Sequence, residues 1–109
     1  MAQTKVKSGL LEGVATTVTP ASGAATCDFS AADIFNITTT EATTLTFTNP
    51  QLAAVKDIVV TGESAVTLPA SVREVTGNTV DAAGVTLIQV LCVDASTPVY
   101  YASIGTAAA

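Results

Sequence analysis

Residues 27–48 read CDFSAADIFNITTTEATTLTFT, and how this stretch folds decides the architecture. In its second half Leu45 and Phe47 alternate with Thr44, Thr46 and Thr48, the period-two pattern of a strand with one buried face. In its first half Ile34, Phe35 and Ile37 mix with Asn36 and a threonine run. The two halves read as a hairpin joined across Thr40-Glu41-Ala42, with a lead-in at Cys27-Asp28-Phe29. All three phenylalanines of the chain, Phe29, Phe35 and Phe47, lie here. With no Trp and two Tyr elsewhere, the stretch is the expected nucleus of the core.

Working outward, the strand pattern recurs on both sides. Val14 to Thr19 is rich in β-branched residues and precedes turn chemistry at Pro20-Ala21-Ser22-Gly23. Downstream, strands are expected around Ile58–Thr61, Ala65–Leu68, Val72–Val75 and Val99–Ile104. Val85 to Val93 (VTLIQVLCV) is the longest apolar run. It reads as a strand buried on both faces, in the middle of a sheet or at a subunit contact, so Leu87 and Leu91 are assigned to a subunit interface or the core. Only Gln51 to Val55 has helical character, and it allows one turn at most, capped by Asn49. Seven to nine short strands with almost no helix give an all-β fold, a single antiparallel β-sandwich or barrel-like roll. No internal repeat of fixed period is evident.

The totals narrow the function. Of 109 residues, 49% are apolar and only 12% charged, about half the usual share of charge. Such a chain cannot bury all its apolar surface, and exposed patches mark partner surfaces, so an oligomer or assembly component is expected. The net charge of -5 argues against nucleic acid as a partner, because phosphates would be repelled. No stretch approaches the ~20 apolar residues of a membrane span, and MAQTKVKSG has no signal core behind it. The expectation is a protein made in a cytoplasm, without a membrane partner.

Residues 1–13 form a separate unit, an extended N-terminal arm ahead of a β-domain at 14–109. Glycines flank Leu10-Leu11, and Lys5 and Lys7 are the only basic pair in the sequence. Lys5, Lys7, Leu10 and Leu11 are therefore candidate partner-binding residues, the leucines as anchors and the lysines as guides to an acidic surface. The alternative is that Leu10 and Leu11 close one end of the domain's own core.

Catalytic constellations are missing from the sequence. There is no His, no Gly-x-Ser-x-Gly elbow, no phosphate loop, and the nine acids are dispersed. Asp28, Asp33, Asp81 and Asp94 would suit calcium only if the fold gathered them, and solvated turn acids are the plainer reading. Cys27 and Cys92 are read as buried thiols, with a disulfide as the alternative. Tyr100-Tyr101 should place one ring in the core and one at the rim, since adjacent strand residues face opposite ways; a sugar- or partner-binding face is the alternative. No catalytic residue, metal or cofactor is assigned.

Asp28-Phe29-Ser30, Phe35-Asn36-Ile37-Thr38, Thr43-Thr44-Leu45-Thr46-Phe47 and Asn49-Pro50 resemble a segment recurring in β-rich surface modules of tailed-bacteriophage virion proteins. Val66-Thr67-Leu68-Pro69, Leu87 to Asp94 and Tyr100-Tyr101 extend the resemblance over about residues 27–103. It implies a non-enzymatic virion structural protein, assembled in the host cytoplasm as a homotrimer, with the major capsid protein or another virion protein as partner. A short arm before a single domain suits a capsid-decorating (cement) protein. The rival expectation is a tail-fibre or spike-type adhesin domain that binds a host surface glycan.

Overall fold

Alternating burial along nearly every strand shapes the computed structural model, which describes residues 13–62, 65–78, 80 and 84–106. The lysines and leucines assigned to the arm, and Asp81, lie outside the described residues. Nine strands follow one another among the described residues: β1 (Ala15–Val18), β2 (Ala24–Asp28), β3 (Ile34–Thr39), β4 (Thr43–Thr48), β5 (Val55–Gly62), β6 (Val66–Thr67), β7 (Val72–Glu74), β8 (Gly84–Asp94) and β9 (Val99–Thr106). No helix occurs among the described residues, so the fold is all-β.

The strands form a six-stranded sheet, in the order β1-β3-β5-β8-β9-β7, and a three-stranded sheet, β2-β4-β6. From β1 to β6 each strand passes to the other sheet, so the chain winds as a coil. Strands of successive turns pair in parallel: β1 with β3, β3 with β5, β2 with β4, β4 with β6. The register sets Ala15 beside Ile34 and Ile34 beside Asp57, an offset that changes from turn to turn and leaves no fixed period in the sequence. β8 then adds antiparallel to β5, β9 antiparallel to β8, and β7 closes the far edge parallel to β9.

Two expectations are corrected here. The central stretch is not a hairpin: β3 and β4 lie in different sheets, and Thr40-Glu41-Ala42 is a corner between layers. A hairpin and a corner bury the same alternate residues, here Phe35, Ile37 and Thr39, then Thr43 and Leu45, so alternation cannot separate them. What fastens the corner is the preceding turn of the coil. The Gly23 amide donates to Glu41 Oε1 at 2.9 Å and the Thr44 amide to the Gly23 carbonyl at 2.8 Å. Accordingly the fold is not a single antiparallel unit but a mixed one. It is not a closed barrel either, since β1 and β7 remain as edges of the larger sheet and β2 and β6 of the smaller.

One core serves both sheets. Phe29 lies at its centre, with ring centroids 5.1 Å from Phe47, 5.5 Å from Tyr100 and 6.2 Å from Phe35. Phe47 on the smaller sheet and Tyr100 on the larger meet edge-on at 5.2 Å, tying the layers together. The residues 27–48 thus do form the nucleus, though as a coil turn. Ile58, Ile88, Val90 and Cys92 complete the core from β5 and β8.

Local polar chemistry sets the corners. Ser22 and Gly23 take positive φ (52° and 75°), the conformation a tight reversal requires. Asn49 also has positive φ (53°), and its Nδ2 donates to Asp28 Oδ1 at 2.8 Å. Gln51–Val55 is a turn rather than helix: the Ala54 amide donates to the Gln51 carbonyl at 3.0 Å, with Ala53 at φ 65°. The Ala53 amide and Ala54 carbonyl instead bond to Cys92, holding this turn against the end of β8.

Candidate interaction surface

β8 is the middle strand of the larger sheet, as its apolar run suggests, but it is buried on one face only. Thr86, Ile88, Val90 and Cys92 point inward; Val85, Leu87, Gln89, Leu91 and Val93 point outward. Leu87 is 41% exposed and Leu91 37%, so neither belongs to the core of this chain, and the core alternative for them is corrected. The run is largely apolar because four of its five outward residues, Val85, Leu87, Leu91 and Val93, are apolar too.

The register makes that side continuous. Val55 on β5, Leu91 on β8 and Tyr101 on β9 stand in one cross-strand row, with Arg73 of β7 opposite Tyr101. The next row is Asp57, Gln89 and Ser103, and Gln89 Nε2 donates to Asp57 Oδ1 at 3.1 Å. A third row sets Asn36, Val59, Leu87 and Gly105 side by side. Val55, Val75, Leu91 and Tyr101 surround a shallow apolar depression on this surface. A sheet face that sets one polar row between two largely apolar ones, and leaves a tyrosine 44% exposed, is suited to packing against another protein surface.

On this surface the sequence singled out β8, and Tyr100-Tyr101 as an alternative partner-binding face. Val55, Asp57 and Arg73 join them through strand pairing, which no local pattern reports. In β5 the alternation is blurred, because Lys56 occupies an inward position while Val55 and Val59 stand outward with Asp57. Lys56 is buried there, its Nζ 3.1 Å from Asp33 Oδ1.

The remaining candidates are accounted for by local structure. Asp28 accepts from the Ser30 amide and hydroxyl and from Asn49; Asp94 accepts from Ser96 and Thr97; Asp33 accepts from the Val14 amide and Lys56. These bonds favour the charged form and hold all three carboxyls below the usual carboxylate range, led by the Ser30 hydroxyl for Asp28, the Val14 amide for Asp33 and the Thr97 amide for Asp94. The fold gives each its own donors and does not gather them; among the described residues no group of acids and thiols is placed to hold a metal. Tyr100 is core and Tyr101 rim, as alternation requires. Cys27 and Cys92 are buried and unbonded to each other, and burial pushes the Cys27 thiol up to about 12.

A second concavity, an open recess of about 500 Å³, lies at the end of β3, β5 and β8 and is lined by Thr38, Thr39, Thr40, Thr61, Gly62, Gly84 and Val85. None of these described residues titrates. Comparison of the chain with protein-family models, with curated proteins and with solved structures finds no match. Function is therefore argued from the surface itself and from the motifs quoted above.

Proposed function

We propose that this protein is a non-catalytic structural subunit that works by self-association through the outer face of its six-stranded sheet. The observation that carries this reading is the exposed row Val55–Leu91–Tyr101, with Leu87 exposed on the same face beyond the polar row of Gln89. Burying apolar surface contributes about 25 cal/mol per Å², and a stable contact needs about 800 Å² on each partner. A strand face of this width supplies that area only if the whole face is covered. The same surface offers no nucleophile-base pair and no metal cluster among its described residues. In this reading the two sheets act as a sandwich: one inner core, one solvent-facing threonine layer and one assembly layer.

The resemblance to phage surface modules supports a particular form of this proposal. The subunit would decorate a bacteriophage capsid as a homotrimer, with residues 1–13 attaching it to the major capsid protein through Lys5, Lys7, Leu10 and Leu11. A tail-fibre or spike adhesin that binds a host glycan is the second reading, favoured by the hydroxyl-rich recess beside Thr39.

Sedimentation equilibrium of the full chain tests the self-association. A multimer at micromolar concentration is expected; a stable monomer overturns the proposal. Binding of the full chain and of a chain lacking residues 1–11 to particles without the protein tests the arm. Binding lost with the fold intact is expected, and undiminished binding refutes the arm's role.

A further inference from the structure

The outer face carries one cation and one anion among the strand residues that point outward, Arg73 on β7 and Asp57 on β5. Between them lie β8 and β9, so with strands about 4.8 Å apart the two are separated by roughly 14 Å laterally. They also stand one row apart along the strands, since Arg73 shares the row of Leu91 and Asp57 that of Gln89. At that distance, beyond a Debye length of about 8 Å, they do not pair within one chain. Among the described residues Arg73 makes no ion pair, and the Asp57 carboxylate accepts only from the Gln89 side-chain amide. The two charges therefore border the apolar rows on opposite sides.

We infer that the occupant of this face is a second copy of the chain, docked with its β7 side over the β5 side of the first, so that Arg73 of each copy meets Asp57 of the other. The inference rests on the self-association proposed above and adds its orientation. An arrangement that lays β5 on β5 sets carboxylate against carboxylate and guanidinium against guanidinium, which like-charge repulsion disfavours. An arrangement that lays β5 on β7 mates both charges and lays β8 of each copy against β9 of the other. A two-fold axis in the plane of the contact, between β8 and β9 and tilted from the strand direction to take up the one-row offset, produces it, with two identical contacts. A closed ring of three also brings the β5 side of one copy to the β7 side of the next, with each Arg73 meeting the Asp57 of its neighbour around the ring rather than reciprocally. Gly105, beside Leu87 in the third row, leaves the face low where the partner's side chains arrive.

The test is sedimentation velocity on the full chain carrying Arg73→Glu, Asp57→Lys, or both, with circular dichroism on each. Both positions are on the solvent face, so the β spectrum should persist. Each single reversal is expected to raise the self-dissociation constant at least about tenfold, and the double reversal to bring it back near the parent value. Single variants that associate like the parent, or a double variant as weak as the singles, overturn the pairing while leaving self-association intact. A parent chain that is monomeric removes the reading beneath it. Should a reversal misfold, Arg73→Gln and Asp57→Asn serve instead. Combining them should then cost no more than either alone, and additive losses would contradict the contact.

Discussion

Lys56 and Asp33 are joined by an ion pair, Nζ to Oδ1 at 3.1 Å, in which the lysine side chain is 8% exposed and the aspartate 52%. The pair ties the start of β5 to the start of β3, and the other oxygen of Asp33 accepts the Val14 amide at 3.0 Å. Three turns of the coil thus meet at one carboxylate.

Removing that carboxylate should cost more than removing the lysine. Asp33→Asn leaves a buried ammonium without its counter-charge and weakens the bond to Val14. Lys56→Met replaces the lysine by an apolar chain of similar length. Because half of Asp33 is in solvent, the loss for Asp33→Asn is set at about 1 kcal/mol rather than the several expected of a fully buried pair. Lys56→Met should be neutral or slightly stabilising. Urea unfolding of both variants at neutral pH checks the order.

The same carboxylates govern acid stability. Asp28, Asp33, Glu74 and Asp94 all have folded values below their ordinary ones. A depressed folded value means that the stabilisation is present above the unfolded value, near about 4, and is lost as pH falls through the folded value. The melting temperature should therefore be flat from pH 7 to about 5 and decline below it. Asp33→Asn should show a shallower decline than the parent.

Gly62 is fixed by close approach rather than by its own flexibility. A Cβ there would lie 2.5 Å from the Thr39 carbonyl oxygen and against the Thr39 hydroxyl. Backbone cannot swing aside as a side-chain tip can, so Gly62→Ala should destabilise by about 2–3 kcal/mol. Gly105→Ala, with nothing within 4 Å of its Cβ, is the control and should change stability by under about 1 kcal/mol. Thermal melts of the two variants make the comparison.

Neither thiol should react in the folded protein. Cys27 and Cys92 are both fully buried, and the raised value of Cys27 leaves almost no thiolate at neutral pH. Titration with a thiol reagent should find no reactive group in buffer and two in denaturant. Rapid labelling of either cysteine in buffer would contradict this burial.

Much of this was legible along single strands. Leu45 and the nearby phenylalanines announced the core, and the turn chemistry at Ser22-Gly23 was a true reversal. Pairing was the illegible part. The strands that neighbour β3 are β1 and β5, far away in sequence, and a parallel coil leaves no mark except through what its corners lack. Thr40-Glu41-Ala42 contains no Gly or Asn, the residues that a two-residue hairpin favours for its positive φ, and that absence was the available sign. The outer face was half legible. Val85 to Val93 showed too many apolar residues for one buried side, but burial on both sides and exposure for a partner produce the same sequence. Only the register that places Val55 and Tyr101 beside Leu91 reveals the breadth of the surface.

The central claim is that this face assembles copies of the chain, and Leu91→Asp tests it most directly. Leu91 lies in the middle of the apolar row and outside the core, so a carboxylate there should leave the fold intact while an unpaired charge at the contact costs several kcal/mol. Sedimentation of parent and variant, each with its circular dichroism spectrum, gives the answer. A concentration-dependent multimer for the parent and a folded monomer for Leu91→Asp is the expected result. A variant that sediments as the parent does, or a parent that is monomeric at every micromolar concentration, would contradict the account.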